Sequence, residues 1–148
     1  MPGDELSAAV APFAGDAPEG LVARISDAAL AVTCARLDAA LDARGIVPFA
    51  RIDHAALARQ AGLTLGPAMV VIFGNPALGT PLMRLAPLLA IDLPLRLLVC
   101  EQDDRVLIAY TDPMWLAGRY GLSAEHPVWG QMAEVLSGLT AHAAGLAG

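Results

Sequence analysis

Apolar positions along this chain fall into short runs separated by stretches with helical spacing. The runs predict strands at 21–25, 46–52, 68–73, 95–101 and 106–110. The run Ala68–Phe73 is apolar throughout, which is typical of an interior strand, whereas Pro48 places its own strand at an edge or beside a bulge. The order strand, helix, strand, helix, strand, helix, hairpin, helix, helix predicts an α+β fold, with helices packed on a mixed sheet of about five strands.

Several residues predict where the helices begin and end. Ser26 is placed to cap the first helix, and Gly45 to end it. Asp53 is placed to cap a short helix over 54–61. Thr80 followed by Pro81 has the pattern of an N-cap with proline at the first helical position.

The chain is predicted to have one folded domain over 21–148. Residues 1–20 contain four acidic residues and no basic one, together with prolines and glycines, and are expected to be a poorly ordered lead-in. An amphipathic helix is predicted from Pro127 onward, within a C-terminal helical extension over 123–148.

The apolar content changes this picture. Apolar residues make up 56% of the 148 and the mean hydropathy is +0.56, above the usual range of roughly 45–50%. We therefore expect a homodimer that buries the terminal helix and the segment 83–93.

No apolar run is long enough to cross a bilayer, so no membrane contact is expected. The acidic N-terminus is unlike a secretory signal and favours the cytoplasm.

Charge and residue usage exclude several function classes. The net charge is −6 and no basic stripe exists, which argues against nucleic-acid binding. All nine basic residues are arginine, so Schiff-base chemistry, a pyridoxal-phosphate anchor and a phosphate-loop lysine are excluded. The three histidines and two cysteines lack metal-site spacing, and Cys34 and Cys100 are expected to be buried, free thiols. No cofactor is identified.

Two segments carry candidate ligand-binding residues. Asp53 and His54 follow the second predicted strand, where His54 could act as a neutral donor or acceptor. Gly74, Asn75 and Thr80 follow the interior strand, where free backbone N–H groups could bind an anion or a carbonyl oxygen, unless the loop is only a structural turn. Because a helix-containing crossover joins the two strands, we expect them to be parallel neighbours with both segments at one end of the sheet.

Five phrases in this sequence carry a family resemblance. They are Ile52-Asp53-His54-Ala55, Ile72-Phe73-Gly74-Asn75-Pro76, Gly79-Thr80-Pro81-Leu82-Met83, Asp92-Leu93-Pro94-Leu95 and Tyr110-Thr111-Asp112-Pro113. In this order they make residues of about 22–122 resemble the bacterial and archaeal domain-of-unknown-function family 302 (DUF302). The resemblance implies an α+β fold and dimers. It implies no activity, and the lead-in and the segment from Ser123 lie outside it.

The sequence therefore predicts a homodimeric small-ligand-binding or accessory domain, with no catalytic residue assigned. One alternative is an enzyme that uses His54 as general acid or base on a substrate held by the loop 74–80. Another is an assembly module without a small-molecule site.

Overall fold

The computed structural model describes residues 17–146, so most of the predicted lead-in lies outside the described part of the chain. The elements are β1 (Leu21–Ile25), α1 (Leu30–Ala43), β2 (Ala50–Asp53), α2 (His54–Gln60), β3 (Ala68–Phe73), α3 (Pro76–Leu85), a 3₁₀ helix (Pro87–Asp92), β4 (Leu95–Gln102), β5 (Arg105–Thr111), α4 (Pro113–Arg119) and α5 (Pro127–Ala144). The five strands form one sheet with helices packed on it. The α+β class is confirmed.

The strand order is β1-β5-β4-β3-β2, and every neighbouring pair is antiparallel. The prediction of a mixed sheet with parallel β2 and β3 is wrong. The reason is the length of α2: seven helical residues span about 10 Å, whereas a six-residue strand such as β3 spans about 20 Å. The helix is too short to carry the chain back along the sheet, so β3 starts beside the end of β2, with Asp53 opposite Met69.

Strand β3 lies between β2 and β4, which confirms that it is interior. Val71 and Phe73 face the main core and are 1% and 2% exposed, whereas Val70 and Ile72 on the other face are half-buried. β2 is an edge strand, as Pro48 predicts, and it is shorter than the predicted 46–52. The interior strand is therefore covered more completely on one face than on the other.

Two apolar clusters make up the core, and α5 contributes to both. In the main cluster, α1 and α5 pack on one face of the sheet, with Leu37 and Leu136 almost fully buried. A second cluster joins α3, the 3₁₀ helix, α4 and the start of α5, with Trp129 fully buried among Leu82 and Leu116. The apolar face of α5 is thus buried within its own chain, where the sequence suggested a dimer surface.

The helix boundaries follow the predicted signals in part. Asp53 Oδ1 accepts a hydrogen bond from Ala56 N at 2.9 Å, which confirms the cap. Gly45, at a φ of 67°, follows the end of α1 as predicted. The other two assignments are wrong. Ser26 lies before the helix and its Oγ accepts from Ala28 N, while Thr80 lies inside α3, which already begins after Asn75.

Candidate functional site

The structure separates the two predicted ligand-binding segments. Asp53 ends β2 beside Met69, the second residue of β3, whereas Gly74 follows the last residue of the same strand. The antiparallel register therefore places Asp53 and His54 about 13 Å or more along the sheet from Asn75. The expectation that the two segments share one pocket is wrong.

His54 has no arrangement that would make it a general acid or base on a substrate held by the loop 74–80. Its side chain is exposed at the first position of α2 and forms no hydrogen bond within residues 17–146, and the neighbouring Asp53 carboxylate is used as the helix cap. A catalytic histidine needs its reacting partner within hydrogen-bond reach. The separation of the segments removes that version of the enzyme hypothesis, while a ligand-binding role for Asp53 and His54 stays a prediction.

The other segment lines a cavity of about 660 Å³. It lies between the end of β3, the start of α3, the start of β4, the middle of α5 and the segment that follows α1. The lining residues are Arg44, Ile46, Phe49, Phe73, Gly74, Asn75, Pro76, Leu78, Gly79, Thr80, Met83, Leu93, Pro94, Leu95, Met132 and Val135. The volume is in the range of roughly 300–1,000 Å³ that is usual for small-molecule sites.

The chemistry of this cavity is mainly apolar. Aliphatic, aromatic and thioether side chains make up most of the lining, and Phe73 and Met132 are 2% and 4% exposed. Polar residues are few in the lining: Asn75, Thr80 and Arg44. Such a lining removes an apolar molecule from water and leaves a few polar groups to orient it.

Two glycines shape the wall of the cavity. A Cβ on Gly74 would lie 3.3 Å from the Pro94 Cβ and 3.7 Å from the Phe49 ring, and one on Gly79 would lie 3.4 Å from a methyl group of Leu93. Because no side chain projects from these two positions, the turn from β3 into α3 can approach the segment before β4 closely. Gly74, which was predicted to bind a ligand, and its neighbour Gly79 therefore both serve as close-packing positions here.

Three backbone N–H groups of this loop, at residues 77, 78 and 79, are already used within the chain. Ala77 N donates to Asn75 Oδ1 at 2.9 Å, and Leu78 N and Gly79 N donate to Asn75 O at 2.9 and 3.1 Å. Pro76 has no N–H to offer. These bonds favour the structural-turn alternative at residues 77–79, while ligand binding by Gly74, Asn75 and Thr80 stays a prediction.

Arg44, the charged residue of the lining, is among the lining residues that were not predicted from the sequence. It is the C-cap residue of α1, and its guanidinium lies across Gly138 of α5, at the position where a Cβ of residue 138 would be. In the sequence, an arginine before a helix-ending glycine looks like a cation that complements the helix C-terminus. Only the packing of α1 against α5 shows that it reaches the cavity.

The cysteines do not have the properties of activated nucleophiles. Both thiols are free and partly exposed. Burial raises the pKa of Cys34, with a further increase from the Asp38 carboxylate, and burial also raises the pKa of Cys100. A raised thiol pKa lowers the thiolate fraction at neutral pH. Among residues 17–146, no three His, Cys, Asp or Glu side chains gather in a group that would hold a metal ion.

A family model described as a domain of unknown function, DUF302, matches residues 22–141. The chain belongs to the DUF302 family. The match continues beyond residue 122, so most of α5 lies within the family's domain. A crystal structure of an uncharacterized conserved DUF302 protein from Bacillus stearothermophilus has a similar fold, with a TM-score of 0.74 at 16% identity, and covers 85% of this chain and 99% of that one.

The curated proteins that resemble this chain are named as fluoride channels. A Brucella suis protein named fluoride-specific ion channel FluC 1 is 39% identical over 118 residues, 79% of this chain and 46% of that protein. FluC 1 of Brucella abortus shares the same identity over 44% of its length. This DUF302 chain therefore spans less than half the length of these relatives. None of the helices described within residues 17–146 is long and apolar enough to span a membrane.

Proposed function

We propose that this DUF302 chain is a small-ligand-binding domain, and that it takes a largely apolar molecule into the cavity between β3, α3 and α5. The observation that supports this function is the cavity itself, with its volume of about 660 Å³ and its mainly apolar lining. Its size and lining resemble those of small-molecule sites in general. The free thiols Cys34 and Cys100 support a cytoplasmic location as part of the same proposal.

Filling the cavity from one wall tests the proposal. We expect the neutral fluorescent dye Nile red to bind the wild-type chain, and Thr80→Trp to weaken that binding about tenfold or more, because an indole at this lining position occupies the space. Ala77→Trp is the matched control, since Ala77 is exposed on the same helix and does not line the cavity. Equal dye binding by both variants, with both folded by circular dichroism, would contradict a ligand site here.

The curated relatives support a second function, an accessory role in fluoride transport. The supporting observation is the 39% identity over 79% of this chain to proteins named as fluoride channels. We assign this chain an accessory rather than a pore-forming role, because no described helix can span a membrane. Deleting its gene is expected to make the host grow less well in millimolar fluoride, with a matched chloride medium as control. Unchanged fluoride tolerance would contradict this role.

Dimerisation is a further part of the proposal, and the structure changes which surface supports it. The apolar face of the terminal helix packs in the core of its own chain, and Leu89 of the segment 83–93 is fully buried. Leu85, Leu88 and Ile91 of that segment are 64%, 79% and 76% exposed. These three side chains, here called the 3₁₀ patch, are the apolar surface that we propose a second copy covers.

A further inference from the structure

Among residues 17–146, one charged residue lines the cavity of the proposed binding function, Arg44. Arg44 is exposed and lines the cavity, and its guanidinium lies over Gly138, about one turn along α5 from the lining residue Val135. We therefore infer that this charge lies at the edge of the cavity. The rest of the lining is apolar or neutral. A ligand that fills this space therefore meets hydrophobic walls inside and a single positive charge at the entrance.

The guanidinium of Arg44 has no carboxylate partner within residues 17–146. Other arginines of the chain do: Arg36 pairs with Asp27 at 2.6 Å, and Arg51 with Asp38 at 2.9 Å. Its five N–H donors therefore remain available at the cavity opening. Arginine binds carboxylate and phosphate groups through paired, charge-assisted hydrogen bonds, which are stronger than those between neutral groups.

Gly138 leaves the space that the Arg44 guanidinium occupies. The Arg44 guanidinium lies where a Cβ of residue 138 would project, so it rests directly on the backbone of α5. Glycine within a helix is unfavourable relative to alanine, yet here it provides the space that the guanidinium occupies. The position of Arg44 at the opening thus depends on a second, separate residue.

Three backbone N–H groups of the loop 74–80 are already bonded and carry no formal charge. The N–H groups at 77, 78 and 79 donate to Asn75, so an anion entering the cavity meets no free donor at these three positions. The Asn75 amide and the Thr80 hydroxyl are neutral. Arg44 is therefore the group of the lining that distinguishes an anionic ligand from a neutral one of the same shape.

We propose that the cavity recognises an amphipathic anion, an apolar chain with one carboxylate or phosphate head, and that Arg44 binds the head while the apolar walls take the chain. This inference rests on the proposed binding function and gives its ligand class. Free carboxylates and phosphate-headed lipids share this chemistry, so both are included in the test.

Titration calorimetry with decanoate, decyl phosphate and decanol tests the inference on the full chain. We expect at least one of the anions to bind the wild type about tenfold more tightly than decanol, because hydrogen bonds to charged groups are the stronger ones. The tighter of decanoate and decyl phosphate identifies the head group. Arg44→Gln is expected to remove the preference for the anion and leave decanol binding unchanged.

Two further variants separate recognition from folding. Gly138→Ala is expected to weaken anion binding by displacing the Arg44 side chain, without lowering the thermal midpoint, because alanine favours a helix. Arg59→Gln, on α2 at the other end of the sheet, is expected to bind like the wild type. The inference fails if decanol binds the wild type as tightly as both anions, or if Arg44→Gln weakens all three ligands equally. If the wild-type chain does not bind Nile red, the proposed ligand-binding function of the cavity is itself contradicted.

Discussion

Gly20 packs against the folded domain, although it lies just before the first strand. It has a φ of 85°, and a Cβ at this position would lie 2.5 Å from the Trp115 ring. Its carbonyl also accepts a hydrogen bond from Asp112 N at 2.8 Å. The sequence placed residue 20 in a poorly ordered lead-in because a glycine among prolines and acids is typical of one. Its contact with an aromatic ring 95 positions later has no local signal.

We predict that Gly20→Ala destabilises the chain by about 2–3 kcal/mol, from the positive φ together with the overlap with the indole ring. Gly62→Ala is the matched control. Gly62 has a φ of 77° and open space around its Cβ position, so only the backbone strain applies, at about 1 kcal/mol. Urea unfolding followed by tryptophan fluorescence measures both. Equal losses in the two variants would show that Trp115 does not restrict residue 20.

Arg44 is a second residue whose role depends on distant packing. Its neighbours in the sequence, a helical stretch and Gly45, predict the end of α1 correctly. They carry no information on Gly138, which lies on a helix near the other end of the chain. Caps such as Asp53 were predictable because the carboxylate and the N–H group that it accepts from are three residues apart.

At the scale of elements, local signals predict most of the boundaries but not the direction of every strand. β1 and β3 coincide with their predicted ranges, and the hairpin of β4 and β5 turns through Asp103 and Asp104, both at positive φ. The polarity of β2 and β3 was missed because a crossover was inferred from the presence of a helix. Its length, seven residues, was the informative property.

The start of α3 illustrates a conflict between two identical signals. Asn75-Pro76 and Thr80-Pro81 both combine a capping side chain with a proline at the next position. The structure uses the first, and Pro81 lies inside the helix, where it removes one backbone hydrogen bond. The earlier start places Leu78, Gly79 and Thr80 on a helix that lines the cavity, and this could not be decided from the two signals alone.

At the scale of the whole molecule, the apolar excess is only partly absorbed by the two core clusters. α5 belongs to both clusters and buries its apolar face. The exposed apolar residues that the composition indicated therefore lie outside α5. Leu89 anchors the 3₁₀ helix in the second cluster with no exposed surface, and this orientation turns its neighbours outward. The composition therefore predicts more apolar residues than the core can bury. Only the packing shows that some of these exposed apolar residues lie in the 3₁₀ patch.

The last prediction concerns association through the 3₁₀ patch. A symmetric dimer buries the three side chains of each copy, at about 1.5–3 kcal/mol per side chain. Subtracting the roughly 4–15 kcal/mol that is lost with rotational and translational freedom leaves a weak dimer. We expect sedimentation velocity to show dimers at about 100 µM, a concentration that corresponds to roughly 5.5 kcal/mol of association.

Leu88→Glu places a charge at the most exposed position of the patch and is expected to weaken association about tenfold or more, since it would bury an unpaired carboxylate. Leu63→Glu is the matched control, because Leu63 is 66% exposed and lies in the loop between α2 and β3, away from the patch. Both variants should keep the wild-type thermal midpoint, because neither position belongs to the two core clusters. A wild-type chain that sediments as a monomer at this concentration would show that the patch does not bind a second copy. Weaker association in Leu63→Glu instead of Leu88→Glu would place the interface at the α2 end of the sheet.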